Sequence, residues 1–189
     1  HRRFYPIEFV RELIGTLVTL TNRGNMAKQG FELEELEKQA EDEDEDVRIA
    51  AAENTSTPAS LLEKLAEDEN EDVRFALCEN ANTPASVLDK FVEDEDNIVR
   101  SNAAANTNTP VSALEKLAND EHWDVRKEVA CNENTPVSLL EKLAEDNDET
   151  VRTCVAENEN TLFPLLEKLA EDDNEAVRKA VTENPNFTS

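Results

Sequence analysis

Apolar positions in this chain recur at helical spacing, and the recurrence itself repeats. Leu61, Leu62, Leu65 and Ala66 form one apolar stripe, with Glu63 and Lys64 facing away from it, as on a helix half-buried against a neighbour. Val87, Leu88, Phe91 and Val92 reproduce the stripe 26 residues later, and Leu139, Leu140, Leu143 and Ala144 reproduce it again. Val73, Leu77 and Cys78 predict a second helix in the same unit, its Leu77 position being filled later by Ala103, Val129, Val155 and Val181. At about ten residues each, such helices are too short to stand alone in water, so stacking must stabilise them. Arg48, Arg74, Arg100, Arg126, Arg152 and Arg178 all follow a valine at the same step of 26 residues, and Lys38, Lys64, Lys90, Lys116, Lys142 and Lys168 keep it too. A fixed period of this size marks a solenoid, whose units bury their apolar faces only against their neighbours. The expected fold class is all-α, a solenoid of about six 26-residue two-helix repeats over residues 31–189. A capping segment over residues 1–30 precedes it.

The helix boundaries have their own signals. The first helix of a unit opens at Thr57-Pro58, Thr83-Pro84, Thr109-Pro110 and Thr135-Pro136. Threonine is expected to cap and proline to take the first helical position. The second helix follows an acidic stretch, with Asp44, Asn70, Asp96, His122, Asp148 and Asn174 in the cap column. Five of these are good caps, and the acids nearby oppose the positive end of the helix dipole. Asn80 and Asn82 then end the helix as turn residues bonding local backbone.

The string Val73-Arg74, Asn80, Asn82-Thr83-Pro84, Val87-Leu88, Lys90-Phe91-Val92 and the acidic turn after it resembles the leucine-rich repeat variant family, and it recurs from about residue 31 to 187. The resemblance implies a right-handed superhelix of α-helices alternating with short helices that are often 3₁₀. Repeats of the family tend to be shorter than these, so the second helix here is expected to be a true α-helix, as in HEAT repeats. Some members hold an iron–sulfur centre in a cysteine cluster ahead of the repeats. No cysteine precedes Cys78 here, so no cofactor is carried over.

The ends break the period. Val10, Leu13, Ile14, Leu17 and Val18 predict an amphipathic helix over residues 7–20. Its expected role is to seal the first repeat, whose unit has Gln39 where the others have Leu or Phe, because repeat arrays need caps. Residues 184–189 supply no such cap. Either further repeats follow, or Val177 and Val181 lie beside an open end suited to end-to-end self-association.

Charge narrows the partner. The formal net charge is -25. Residues 1–30 carry Arg2, Arg3, Arg11, Arg23 and Lys28 against Glu8 and Glu12, so the acidity belongs to the repeats. Such a surface repels phosphate backbones, which excludes direct nucleic-acid binding and favours a basic protein partner. No apolar run reaches the ~20 residues of a membrane span. Cys78, Cys131 and Cys154 occupy three different columns and form neither a CxxC pair nor a disulfide framework. That suits a reducing compartment, and a cytoplasmic location is expected.

Candidate chemistry is sparse. Asp42, Asp44, Asp46 and Glu53 imitate the carboxylate spacing of a calcium loop, but the position needing glycine holds Val47. These acids read as caps, and no metal is expected. His1 and His122 are the two histidines and the chain has three glycines, so neither a nucleophile–base pair nor a phosphate-cradling loop is legible, and no enzyme is expected. The arginine column recurs with Asp42, Asp68, Asp94, Asp120, Asp146 and Asp172, each six residues earlier. An internal Arg–Asp or Arg–carbonyl ladder between repeats accounts for both columns.

Recognition should use positions where the repeats disagree. Ile49 and Phe75 are apolar in a column that otherwise holds Ser101, Lys127, Thr153 and Lys179, and Asn102 and Glu128 interrupt the alanines at 50, 76 and 180. Trp123 stands where Glu45, Glu71, Asn97, Glu149 and Glu175 stand elsewhere. Tryptophan is enriched in binding hot spots, although folding over its own turn explains Trp123 slightly better. The expected partner-binding residues are thus Ile49, Phe75, Asn102, Trp123, Lys127 and Glu128 on the second-helix face. The expected function is a protein–protein interaction scaffold. An acidic nucleic-acid mimic, a helical-repeat lyase or cofactor-linked protein, and adaptation to a high-salt cell interior are the alternatives.

Overall fold

Second helices form because each begins with its own cap and presents one apolar stripe. In a computed structural model, which describes residues 32–187, they are α2 (Glu45–Glu53), α4 (Glu71–Glu79), α6 (Asn97–Ala105), α8 (Trp123–Cys131), α10 (Glu149–Glu157) and α12 (Glu175–Glu183). All are α-helical and nine residues long. Every residue of the cap column accepts the backbone N–H two residues on, and His122 joins the other five through Nδ1 at 3.3 Å.

The first helices are α1 (residues 32–39), α3 (Ala59–Leu65), α5 (Ala85–Lys90), α7 (Val111–Leu117), α9 (Val137–Leu143) and α11 (Phe163–Leu169). From α3 onward they run only six or seven residues, shorter than expected. The 3₁₀ turn Phe91–Glu93 extends α5. Their entry also departs from expectation. The cap position is held by Pro58 and its equivalents, with no side-chain cap bond. Thr57 therefore stands one position too early to cap, and its buried hydroxyl donates backwards to the Ala51 carbonyl at 2.7 Å. Thr83, Thr109, Thr135 and Thr161 do the same at the end of each second helix.

The six helix pairs make an all-α solenoid, with no strand among the described residues. Successive second helices pack side by side, α2 on α4 through to α10 on α12. Small buried residues at Ala52, Cys78, Ala104, Ala130 and Ala156 let them approach, while Val73, Leu77, Val125, Val129 and Val155 are fully enclosed. Burying each such valine or leucine favours folding by roughly 1.5–3 kcal/mol, and only the neighbouring repeat can provide the burial.

Two polar ladders lock the stack. Each arginine from Arg48 to Arg152 places Nε and Nη2 on both oxygens of the aspartate 20 residues later, with Nε–Oδ2 distances of 2.6–2.7 Å. Its Nη1 donates to the carbonyl of the aspartate six residues earlier. Both forms of the expected ladder therefore exist together. The asparagines reach further than turns require. Asn80 Nδ2 donates to the Ala52 carbonyl, 28 residues back, at 2.7 Å while its Oδ1 accepts from Asn82 N, and Asn132, Asn158 and Asn184 repeat this.

The helix expected over residues 7–20, and with it the 1–30 capping segment, lies outside the described residues. Val177 and Val181 are not left at an open end but are fully buried. The 3₁₀ turn Pro185–Phe187 folds back, Phe187 packs on their cluster and its ring stacks on Phe163, 5.8 Å between centroids.

Candidate protein-interaction face

Arginines, aspartates, asparagines and threonines that repeat are consumed by the ladders. What remains for recognition is the outer side of the second helices. Asp68, Asp120 and Asp146 illustrate how firmly the ladder is held: burial would raise their pKa values, but the arginine fork and a backbone N–H outweigh it and hold them below the ordinary range. At Asp172 the Arg152 fork is the main cause of the same depression.

The expected contacts fall into separate places. Trp123, at the first turn of α8, is 42% exposed. It stacks on His122 with ring centroids 5.9 Å apart, and the Lys127 ammonium lies 5.8 Å from the indole centre. Lys127 also pairs with Asp124 and Glu128, both at 2.8 Å. Burial works against its charge, yet these two carboxylates raise its pKa. Trp123, Lys127 and Glu128 thus form one cluster on α8, with Trp123 folded onto its own turn and still presenting an open face.

Ile49 and Phe75 are less exposed than their column suggests. Both are half-buried and pack on the core, because the residue pointing away from solvent on a nine-residue helix shares its flank with the next repeat. Asn102 is half-buried as well, and its Nδ2 donates to the Ile98 carbonyl of its own helix at 2.8 Å. Phe75 instead meets Ile98, which the column reading missed. Ile98 is 54% exposed and lines one groove with Phe75 between α4 and α6. Its column reads Asp46, Asp72, Ile98, Asp124, Thr150 and Ala176, so a lone isoleucine among acids was the available signal.

The cysteine reading needs correction. Cys131 at the end of α8 and Cys154 on α10 form a disulfide. They occupy different columns, but they lie on facing flanks of adjacent second helices, where residues 23 apart rather than 26 come together. The argument for a reducing compartment falls with it. Cys78 is free and buried, donates to the Arg74 carbonyl and is pushed by burial to about 12, a thiol without nucleophilic character at neutral pH. Among the described residues no group of three or more His, Cys, Asp or Glu is placed to hold a metal ion, and no helix is long and apolar enough to cross a membrane.

No protein-family model and no curated protein matches the chain. A solved structure described as a leucine-rich repeat variant with a novel repetitive protein structural motif is similar to it, at 30% identity and a TM-score of 0.63. The match covers 79% of this chain, which spans 60% of the length of that structure.

Proposed function

Taking the chain as a helical repeat of the leucine-rich repeat variant kind, we propose that it is a non-enzymatic scaffold that binds another protein through the outer face of its second helices. One observation carries the reading. The recurring arginines, their partner aspartates and the asparagines are spent on joining repeats, whereas Phe75, Ile98 and Trp123 depart from their columns, with Lys127 beside Trp123, on a surface the ladders do not use. Shape comes from the stack. The carboxylates around these residues favour a basic partner and speed its approach, and the few apolar side chains provide residence time.

The test is affinity capture with the full chain, followed by reconstitution with the purified captured protein and calorimetry. A Phe75→Ala, Trp123→Ala double variant is expected to bind at least tenfold more weakly at unchanged helical content. Equal binding by the variant removes this face from the function. No direct, saturable association with any protein overturns the scaffold reading.

A further inference from the structure

Phe75 and Ile98 are 23 residues apart, the offset at which Cys131 and Cys154 are covalently joined. Between α4 and α6 they line one groove. The same offset elsewhere pairs Ile49 with Asp72, Ser101 with Asp124, Lys127 with Thr150 and Thr153 with Ala176. Of these five pairs of positions, only Phe75 and Ile98 are both large and apolar. They line a groove of about 230 Å³ whose remaining walls are Glu71, Asp72, Asp96 and Val99. Phe75 is half-buried and packs on the core, giving a fixed floor, and Ile98 stands more than half exposed at its side.

The fold has no use for Ile98. Its column holds aspartate in three other repeats, and its backbone N–H is satisfied by the Asp96 carboxylate at 2.6 Å whatever the side chain. A single exposed isoleucine needs no explanation by itself, but Ile98 shares its groove with Phe75, and the two together make an apolar patch bordered by carboxylates that an apolar side chain can fill. The rim defines the occupant's charge. Glu71 and Asp72 are exposed and make no ion pair with any described residue. The nearby cations Arg74 and Arg100 are turned inward, each forked onto a ladder aspartate. A groove of this volume accepts one leucine- or phenylalanine-sized side chain, and the Glu71, Asp72 and Asp96 carboxylates around it select for cations beside that side chain.

We propose that the Phe75–Ile98 groove docks a protein segment that inserts one large apolar side chain flanked by lysine or arginine. This rests on the scaffold reading and names its partner's chemistry. An anionic ligand is repelled by the rim. An uncharged apolar molecule fills the floor but leaves the carboxylates unused.

The experiment titrates the full chain, labelled at isoleucine δ1 methyls, with the blocked peptide Lys-Lys-Leu-Lys-Lys. The chain has four isoleucines, Ile7, Ile14, Ile49 and Ile98, so the groove has its own resonance. A saturable shift of the Ile98 methyl is expected, with affinity weakened at least tenfold when serine replaces the peptide's leucine; Ile98→Asp protein, which lacks that resonance, is read by calorimetry and is expected to bind at least tenfold more weakly. Ile98→Asp restores the residue its column carries elsewhere, and Ile98→Ala, checked by circular dichroism, is the second variant. Equal binding of the serine peptide shows attraction by charge alone and overturns the groove, as does a shift confined to other resonances or no shift at all. If the protein captured above binds Ile98→Asp as tightly as wild type but is lost from Trp123→Ala, the scaffold reading stands and this groove falls.

Discussion

Replacing Arg100 by alanine removes an interior rung of the ladder, and Arg178 in the same column provides an internal control. Arg100 donates to both oxygens of Asp120, at 2.7 and 3.1 Å, and to the carbonyls of Asp94 and Glu95 at 2.8 and 3.3 Å. The two side chains are 10% and 9% exposed. Truncation leaves the Asp120 carboxylate enclosed, with the His122 backbone N–H as its remaining donor. Breaking a buried pair this way costs about 3–5 kcal/mol, and the residual solvent contact places Arg100→Ala near the lower end, at about 3 kcal/mol. Arg178 donates only to the Asp172 and Asp173 carbonyls, so Arg178→Ala should cost about 1 kcal/mol. For a chain of this size the corresponding losses in Tm are about 6–12 °C and 2–4 °C. Arg100→Lys keeps the charge without the fork and should fall between. The assay is urea unfolding followed by circular dichroism at 222 nm, read for midpoint and slope. A shallower slope for Arg100→Ala is also expected, because the two halves of a weakened stack unfold less cooperatively. Equal losses at Arg100 and Arg178, or a loss below about 1 kcal/mol at Arg100, would refute the claim that the fork couples repeats.

Two further outcomes follow from the same structure. Reducing the Cys131–Cys154 disulfide, with its sequence separation of 23, should lower stability by about 3 kcal/mol on the chain-entropy account; thiol titration of the unfolded chain should rise from one to three, and identical unfolding curves with and without reductant would refute the cross-link's role. Asp68, Asp120, Asp146 and Asp172 have lowered pKa values in the folded chain, so their contribution is fully present above the unfolded value of about 3.9 and drains as pH falls through the folded values. Acid unfolding should therefore begin below about pH 4, and its midpoint should rise in Asp120→Asn, whereas an unchanged midpoint in that variant would count against the ladder as its cause.

Periodic residues were the legible part of this protein. A valine–arginine pair every 26 residues, with apolar stripes on either side, admits only a stack of helix pairs, because no unit so short can bury its own stripe. The caps were legible for a similar reason: a short polar side chain ahead of an apolar stripe finds its acceptor geometry within two residues. Local chemistry also misled. Thr57 matches a cap in sequence, yet its hydroxyl is nearer to the carbonyl of the helix it follows than to the amides of the helix it precedes.

Contacts between repeats were decided by the tertiary structure alone. Counting columns aligns residues 26 apart, but the groups that touch between repeats lie 20, 23 or 28 residues apart, according to which flank of the unit carries them. Packing of adjacent second helices joins Cys131 to Cys154 and brings Ile98 to Phe75, neither of which shares a column with its partner. It also half-buries Ile49 and Phe75 against the core, on a face that a single helix would expose. The sequence by itself determined the repeat, its length and the arginine and aspartate columns of the ladder, since these follow from periodicity. Which odd residues meet across the seam was settled only by how neighbouring helices pack, which no single repeat contains.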